Sequence, residues 1–226
     1  MAKPGASATP GIFISFEGGE GAGKSTQIEK LRARLEAAGR SVRTTREPGG
    51  SPRAEEIRAI LLSGKAKHLG PVGETILFAA ARQDHVSTLI RPAMAKGQIV
   101  LCDRFIDSTR VYQGAVAGLE AALLAGLETA ATVGTMPDAT VVIDVPVELG
   151  LERARLRRVA RGETPDRFEA EDAAYHERVR SAFLAIAKAE PGRCVVVDGS
   201  ASAESVAAAI WSALAPRLRL GGGPDR

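Results

Sequence analysis

The stretch Ile12-Phe13-Ile14-Ser15-Phe16-Glu17-Gly18-Gly19-Glu20-Gly21-Ala22-Gly23-Lys24-Ser25-Thr26 carries the reading of this chain. Ile12 to Glu17 reads as a strand, and Lys24 to Ala38 as a helix closed by Gly39. Between them, Gly18 to Ser25 satisfies G-x-x-x-x-G-K-S/T in full. Glycines let the backbone turn its N–H groups inward around phosphate oxygens. The helix aims the positive end of its dipole at the same point. Lys24 is expected to reach the β and γ phosphates of a nucleotide and Ser25 to ligate Mg²⁺. Gly18, Gly19, Glu20, Gly21, Ala22, Gly23 and Thr26 complete the cradle. A chance glycine-rich turn capping a helix is the competing reading, and the strand-loop-helix context argues against it.

Outward from this loop, apolar runs alternate with helical patterns. Ser41 to Thr45, Gln98 to Asp103, Thr140 to Val145 and Cys194 to Asp198 read as strands. Helices are expected over Pro52 to Leu62, Val72 to Met94 (interrupted near Pro92), Leu119 to Ala131, Val147 to Ala160, Glu169 to Ala189 and Ala203 to Leu218. Alternation of this kind means crossover connections and a mostly parallel sheet. Ligands then bind beyond the C-terminal ends of the strands. The chain has 226 residues, 45% hydrophobic and 25% charged, which suits one domain and excludes disorder as the dominant state. That domain is expected over residues 11–218, with flexible tails at 1–10 and 219–226.

No apolar run is long enough to span a bilayer, and Met1 to Gly11 lacks the apolar core of a signal peptide, so a cytoplasmic protein without membrane partners is expected. Cys102 and Cys194 lie inside apolar runs and read as small buried hydrophobes. A net charge of +3 does not suggest a nucleic-acid coat. Asparagine is absent, which removes both N-glycosylation and the N-K-x-D guanine-reading motif of common GTPases.

Chemistry is sought just after each strand. Arg46, in Thr45-Arg46-Glu47-Pro48-Gly49-Gly50, is placed either to grip a phosphate with its planar fork or to sit solvated in a turn. Asp103 could hold Mg²⁺ through water, with Arg104 adding charge near the reacting centre; a strand-capping Asp–Arg pair is the alternative. Phe78 and Arg82, four apart, share a helix face that could sandwich and hydrogen-bond a base, although a phenylalanine on a helix equally serves a core. Ser108 to Gly114 is too polar for core and reads as substrate contacts or a capping loop. Six arginines fall between Arg153 and Arg167, with Arg153, Arg157 and Arg161 on one helix face. They form either a solvated basic helix or a mobile segment that closes on a phosphoryl group. An inserted arginine speeds such transfers about 10³–10⁵-fold.

The ordered set Glu17 to Thr26, T-R-E-P-G-G, L-F-A-A-A-R, D-R-F-I-D-S-T-R-V-Y-Q-G and P-D-A-T-V-V-I-D-V resembles bacterial thymidylate kinases over roughly residues 11–216. The phosphate loop is shared with many families; the T-R-E-P-G-G and D-R-F blocks are far more specific. The resemblance implies an α/β, P-loop nucleoside monophosphate kinase-like fold: a five-stranded parallel sheet flanked by helices, with a lid at about 153–167. It implies transfer of phosphate from ATP to dTMP with Mg²⁺, giving dTDP for dTTP synthesis, by a homodimer. A P-loop kinase for another nucleoside monophosphate is the alternative, and a non-catalytic nucleotide-binding module a third reading.

By the same resemblance Glu20 faces the sugar 3′-OH of dTMP, and Arg46 and Arg104 hold its phosphate. Phe78 stacks on thymine, Arg82 with Gln113 or Ser108 reaches its polar edge, and Tyr112 blocks a ribose 2′-OH. Lys24, Arg46, Arg104 and the lid arginines Arg153, Arg157 and Arg161 are the implied catalytic set, with Ser25 and Asp103 at the metal. Asp198-Gly199-Ser200 would lie near adenine. Ala22 stands where another branch carries a loop arginine, so this chain resembles the branch whose arginine comes from the lid. Some relatives carry Asp before the base-site arginine, where this chain has Ala81. The lid is longer than in some relatives, through Arg158 to Arg161.

Overall fold

A computed structural model of the chain describes residues 11–162, 171–218 and 220, apart from the side chain of Arg161. The two expected tails (save Leu220) and the lid beyond Gly162, with Arg167, lie outside the described residues. Five strands form one parallel sheet: β1 (Ile12–Glu17), β2 (Val42–Arg46), β3 (Ile99–Asp103), β4 (Ala139–Asp144) and β5 (Cys194–Asp198). Their order is β2-β3-β1-β4-β5. From β1 the chain crosses to β2 and β3 on one side and to β4 and β5 on the other. The crevice at the C-terminal end of β1 is therefore the topological switch point where ligands bind.

The alternation along β1 explains the layers. Ile14 and Phe16 face α1 (Lys24–Ala37) and the last helix, in a core with Leu35, Leu101, Val141, Ile210 and Leu214. The other face runs Phe13, Ser15, Glu17, all fully buried. Phe13 packs edge-on to Phe105, the Ser15 hydroxyl bonds that of Thr140 at 2.7 Å, and Glu17 accepts from the Phe105 N–H and the Ser108 hydroxyl, each at 2.7 Å. That face thus turns from apolar to acidic as it nears the switch point.

α2 (Pro52–Leu62) packs against α3 (Gly70–His85), which continues through a π-helical segment, Val86–Ile90, into α4 (Arg91–Ala95). Pro92 accounts for the expected interruption. A proline lacks the N–H for the i−4 carbonyl and its ring crowds that carbonyl; the widened turn just before it absorbs both. After β3 come α5 (Ile106–Thr109) and a second π-helical segment, Arg110–Val116. The Ser108–Gly114 stretch is therefore helical rather than a loop. α6 (Ala121–Thr132), α7 (Val147–Arg161), α8 (Ala173–Ala189) and α9 (Ala203–Leu218) complete the fold. Val179 and Phe183 of α8 pack with Val111 and Val142 in a further apolar cluster. Among the described residues no helix is long and apolar enough to cross a membrane.

Candidate active site

The phosphate loop springs from β1 as its pattern requires. Gly18 and Gly21 have φ of 138° and 64°, in the region that favours glycine, and a Cβ on either would strike a backbone carbonyl, of Ile143 or Gly150 respectively. Lys24 folds back over the loop, its Nζ donating to the carbonyls of Gly18 and Gly19 at 3.1 Å each. Burial lowers the Lys24 pKa; Arg104 adds to the effect, against opposing pulls from Asp103 and Glu20. A cation desolvated in this way gains most from an arriving polyphosphate.

The end of β3 supplies the other half of the site. Ser25 Oγ donates to Asp103 Oδ2 at 2.8 Å, bringing together the two residues expected at the metal. Both are hard oxygen donors, the type Mg²⁺ takes alongside water and phosphate. No cluster of three or more His, Cys, Asp or Glu suited to a metal occurs among the described residues. Arg104 sits at φ 69°, a left-handed conformation costing a bulky residue about 1–3 kcal/mol. This backbone turn brings the guanidinium over the loop. It donates to Glu20 Oε1 at 2.7 Å, to the Gly18 carbonyl at 3.3 Å and to Ser108 Oγ at 3.3 Å, and it lies 5.3 Å from the centre of the Tyr112 ring. Burial pushes the Glu20 carboxyl upward, but Arg104, Lys24 and Arg157 outweigh it and hold Glu20 below the usual carboxylate range.

These groups open into a cleft of about 410 Å³. Glu20 to Thr26, Arg46, Phe78, Arg82, Asp103, Arg104, Ser108, Tyr112, Gln113 and Arg157 all line it. Gly18 and Gly19 line a much smaller cavity behind the loop, of about 20 Å³. Arg46 is half-exposed and pairs with Glu55 at 3.1 Å. Arg82 is buried and fixed: Nε donates to Glu47 at 2.7 Å, Nη1 to Thr109 Oγ1 at 2.9 Å and Nη2 to the Phe105 carbonyl at 3.1 Å. It has one N–H left on each terminal nitrogen, so it can still donate toward the cleft. Glu47 also binds the fully buried His85 at 3.0 Å, so it provides the orienting acid that Ala81 cannot.

The expected lid arginines separate. Arg157 reaches the cleft. Arg153 instead donates to the carbonyls of Gly199 at 2.8 Å and Ser200 at 3.2 Å, bracing the loop after β5. The side chain of Arg161 lies outside the described residues. Glu47, Thr109 and Arg58 are site residues the motif reading passed over; Arg58 lines the cleft and donates to the Pro48 carbonyl at 2.7 Å. Glu47 stood inside T-R-E-P-G-G, where an acid beside the arginine expected to grip a phosphate was the available signal.

Comparison with known proteins agrees with this geometry. Residues 16–210 match the family model described as Thymidylate kinase. A thymidylate kinase of Nitrobacter winogradskyi is 54% identical over 217 residues, covering 96% of this chain and 94% of the relative. One of Caulobacter vibrioides is 53% identical over 212 residues, covering 94% of this chain and 100% of the relative. The crystal structure of thymidylate kinase from Ehrlichia chaffeensis superposes with a TM-score of 0.73 at 32% identity, covering 91% of this chain and 99% of that one.

Proposed function

The chain belongs to the thymidylate kinase family, and from that premise we infer that it transfers the γ-phosphoryl group of ATP to dTMP, releasing ADP and dTDP. The observation that carries the reading at residue level is the single cleft into which both the phosphate loop and the Arg46, Phe78 and Arg82 set open.

ATP lies with its phosphates along Gly18 to Thr26, where loop N–H groups and the α1 dipole offset their charge. Lys24 exchanges its loop carbonyls for phosphate oxygens. Ser25 and Asp103 would hold Mg²⁺, which when bound screens the β and γ phosphates. On the acceptor side, Arg46 takes the dTMP phosphate. Its exposed pair with Glu55 is worth at most about 1 kcal/mol, so a dianion displaces it readily. Phe78 stacks on the base, and Arg82 with Gln113 or Ser108 addresses its polar edge. Glu20 accepts from the sugar 3′-OH, and Tyr112 closes the space a 2′-OH would need. An oxygen of the dTMP phosphate attacks the γ-phosphorus as the bond to the ADP oxygen breaks. Charge spread over the transferred group is met by Lys24, Arg104 and a lid arginine, of which Arg157 stands at the cleft.

The enzyme works in the cytoplasm, a setting supported by its two buried, unpaired thiols. It acts as a homodimer: Leu69, Val72 and Ile76 expose 46–49% of their surface beside and along α3 and make an apolar stripe for a second copy. Sedimentation analysis checks this, since Ile76→Glu should yield monomer where the parent is dimeric.

A coupled ADP-release assay tests the reading. With ATP and Mg²⁺, dTMP is expected to lead a panel of dUMP, dCMP, UMP, CMP, AMP and GMP. Discrimination against dUMP should be modest, since one methyl is worth about 1–3 kcal/mol. Arg46→Ala should lose two or more orders of magnitude in kcat/KM for dTMP while ATP binding persists. Another monophosphate in the lead, or an unimpaired Arg46→Ala, overturns the assignment.

A further inference from the structure

One helix stripe remains unexplained by substrate contact alone. On α7, Gly150, Arg153 and Arg157 recur at i, i+3 and i+7 and so share a face. Arg157 lines the cleft, and Arg153 is tied to the Gly199 and Ser200 carbonyls. Gly150 is fully helical, its N–H bonded to the Pro146 carbonyl at 3.0 Å, so it needs no glycine conformation. Glycine is also a poorer helix former than alanine.

Space explains it. A Cβ at Gly150 would stand 2.5 Å from the carbonyl oxygen of Glu20, and a Cβ at Gly21 would collide with the carbonyl of Gly150. The first turn of α7 and the phosphate loop therefore meet backbone to backbone through two glycines. The obstacle on each side is main chain, which cannot swing away as a side chain does.

We propose that Gly150 is a positioning residue for phosphoryl transfer: by letting α7 rest directly on the Glu20–Gly21 backbone, it sets the height of the helix over the phosphate loop and thereby delivers Arg157 to the transferred group. The proposal rests on the reading of Arg157 as a catalytic arginine. Any side chain at position 150 lifts α7 away from the loop. Arg157, two turns further along the same face, moves with it, whereas Arg46 and Phe78 stand on other elements and keep their places.

The test is a cycle of Gly150→Ala, Arg157→Ala and the double variant, read by steady-state kinetics and thermal unfolding. Gly150→Ala is expected to lower kcat ten-fold or more, with KM for dTMP changed less than three-fold. The double variant should be no more than three-fold slower than the slower single variant, because both act through one group. A Gly150→Ala enzyme with full kcat overturns the proposal, whether or not its melting temperature falls; so does a double variant whose losses multiply. A slow Arg157→Ala beside a fully active Gly150→Ala removes the seating role and leaves the lid reading intact. A fully active Arg157→Ala removes the lid reading first, and the proposal with it. Should Gly150→Ala not fold, hydrogen exchange on the parent enzyme decides. The amides of residues 20–23 and 147–153 should gain protection together when ADP is added, and independent responses overturn the proposal.

Discussion

Glu47→Ala offers the sharpest test of how Arg82 is held in the cleft. The Glu47 side chain is 4% exposed; it bonds Arg82 at 2.7 Å and His85 at 3.0 Å, and those partners are 5% and 0% exposed. Removing the carboxylate strands a buried guanidinium that retains only the neutral acceptors Thr109 and the Phe105 carbonyl. Breaking a buried pair from one side costs about 3–5 kcal/mol. For a chain of this length each kcal/mol shifts the midpoint by about 2–4 °C, so melting should fall by about 6–20 °C. Urea unfolding followed by the fluorescence of Trp211 measures the effect far from the cleft, since Trp211 on α9 lies under the Arg34 guanidinium at 4.0 Å. Glu47→Ala and Arg82→Met together should destabilise less than the sum of the two alone, because the double variant leaves no unpaired charge. A coupling of about 1.5–3 kcal/mol is expected within one network. Additivity within about 0.5 kcal/mol, or a Glu47→Ala protein as stable as the parent, refutes the claim that this acid fixes Arg82.

Glu17 carries a pH signature. Burial foremost, and then the Asp107 charge, raise its pKa from 4.5 to about 7. The folded state therefore holds a proton that the unfolded chain has lost. Stability is full below about pH 4.5 and declines as pH rises toward 7, by at most about 1.4 kcal/mol per unit and about 3 kcal/mol in all. Parallel urea titrations of the parent and Glu17→Gln between pH 4.5 and 8 should show the parent losing ground across that window alone; a constant difference refutes the shift. At the pair proposed to hold Mg²⁺, Asp103→Asn keeps an acceptor for Ser25 but removes the charge. The Mg²⁺ concentration for half-maximal rate should rise ten-fold or more, and an unchanged Mg²⁺ titration takes Asp103 out of the metal's coordination.

Local signals made most of the fold legible. The sheet could be read because β3 and β4 are nearly continuous apolar runs such as Val141 to Ile143, buried on both faces. Pro92 announced an interruption, but a proline reports only the bond it cannot make; whether the helix breaks or widens depends on what packs around it, and here Val86 and Ile90 are held in the core while the turn widens. Ser108 to Gly114 left substrate contacts and a capping loop open; the stretch is helical, with Ser108 bonded to Glu17 and Arg104 and with Ser108, Tyr112 and Gln113 lining the cleft.

What the sequence withheld was which acid each arginine would meet, and that decides what the arginine can do. Arg46, Arg82 and Arg104 look alike as residues near strand ends or on a helix face. In the fold Arg46 meets Glu55, nine residues away, in an exposed pair; Arg104 meets Glu20, 84 residues away, and Arg82 meets Glu47, 35 residues away. The exposed pair is weak enough for a phosphate to displace, at about 1 kcal/mol or less, whereas stripping the buried Glu47 from Arg82 would cost several times that. On the proposed reading a substrate anion recruits Arg46, whereas the Nε of Arg82 stays with Glu47 and only its terminal N–H groups are left to face a base edge. The division of labour proposed for Arg46 and Arg82 follows from burial, and burial depends on contacts between segments that the sequence holds far apart.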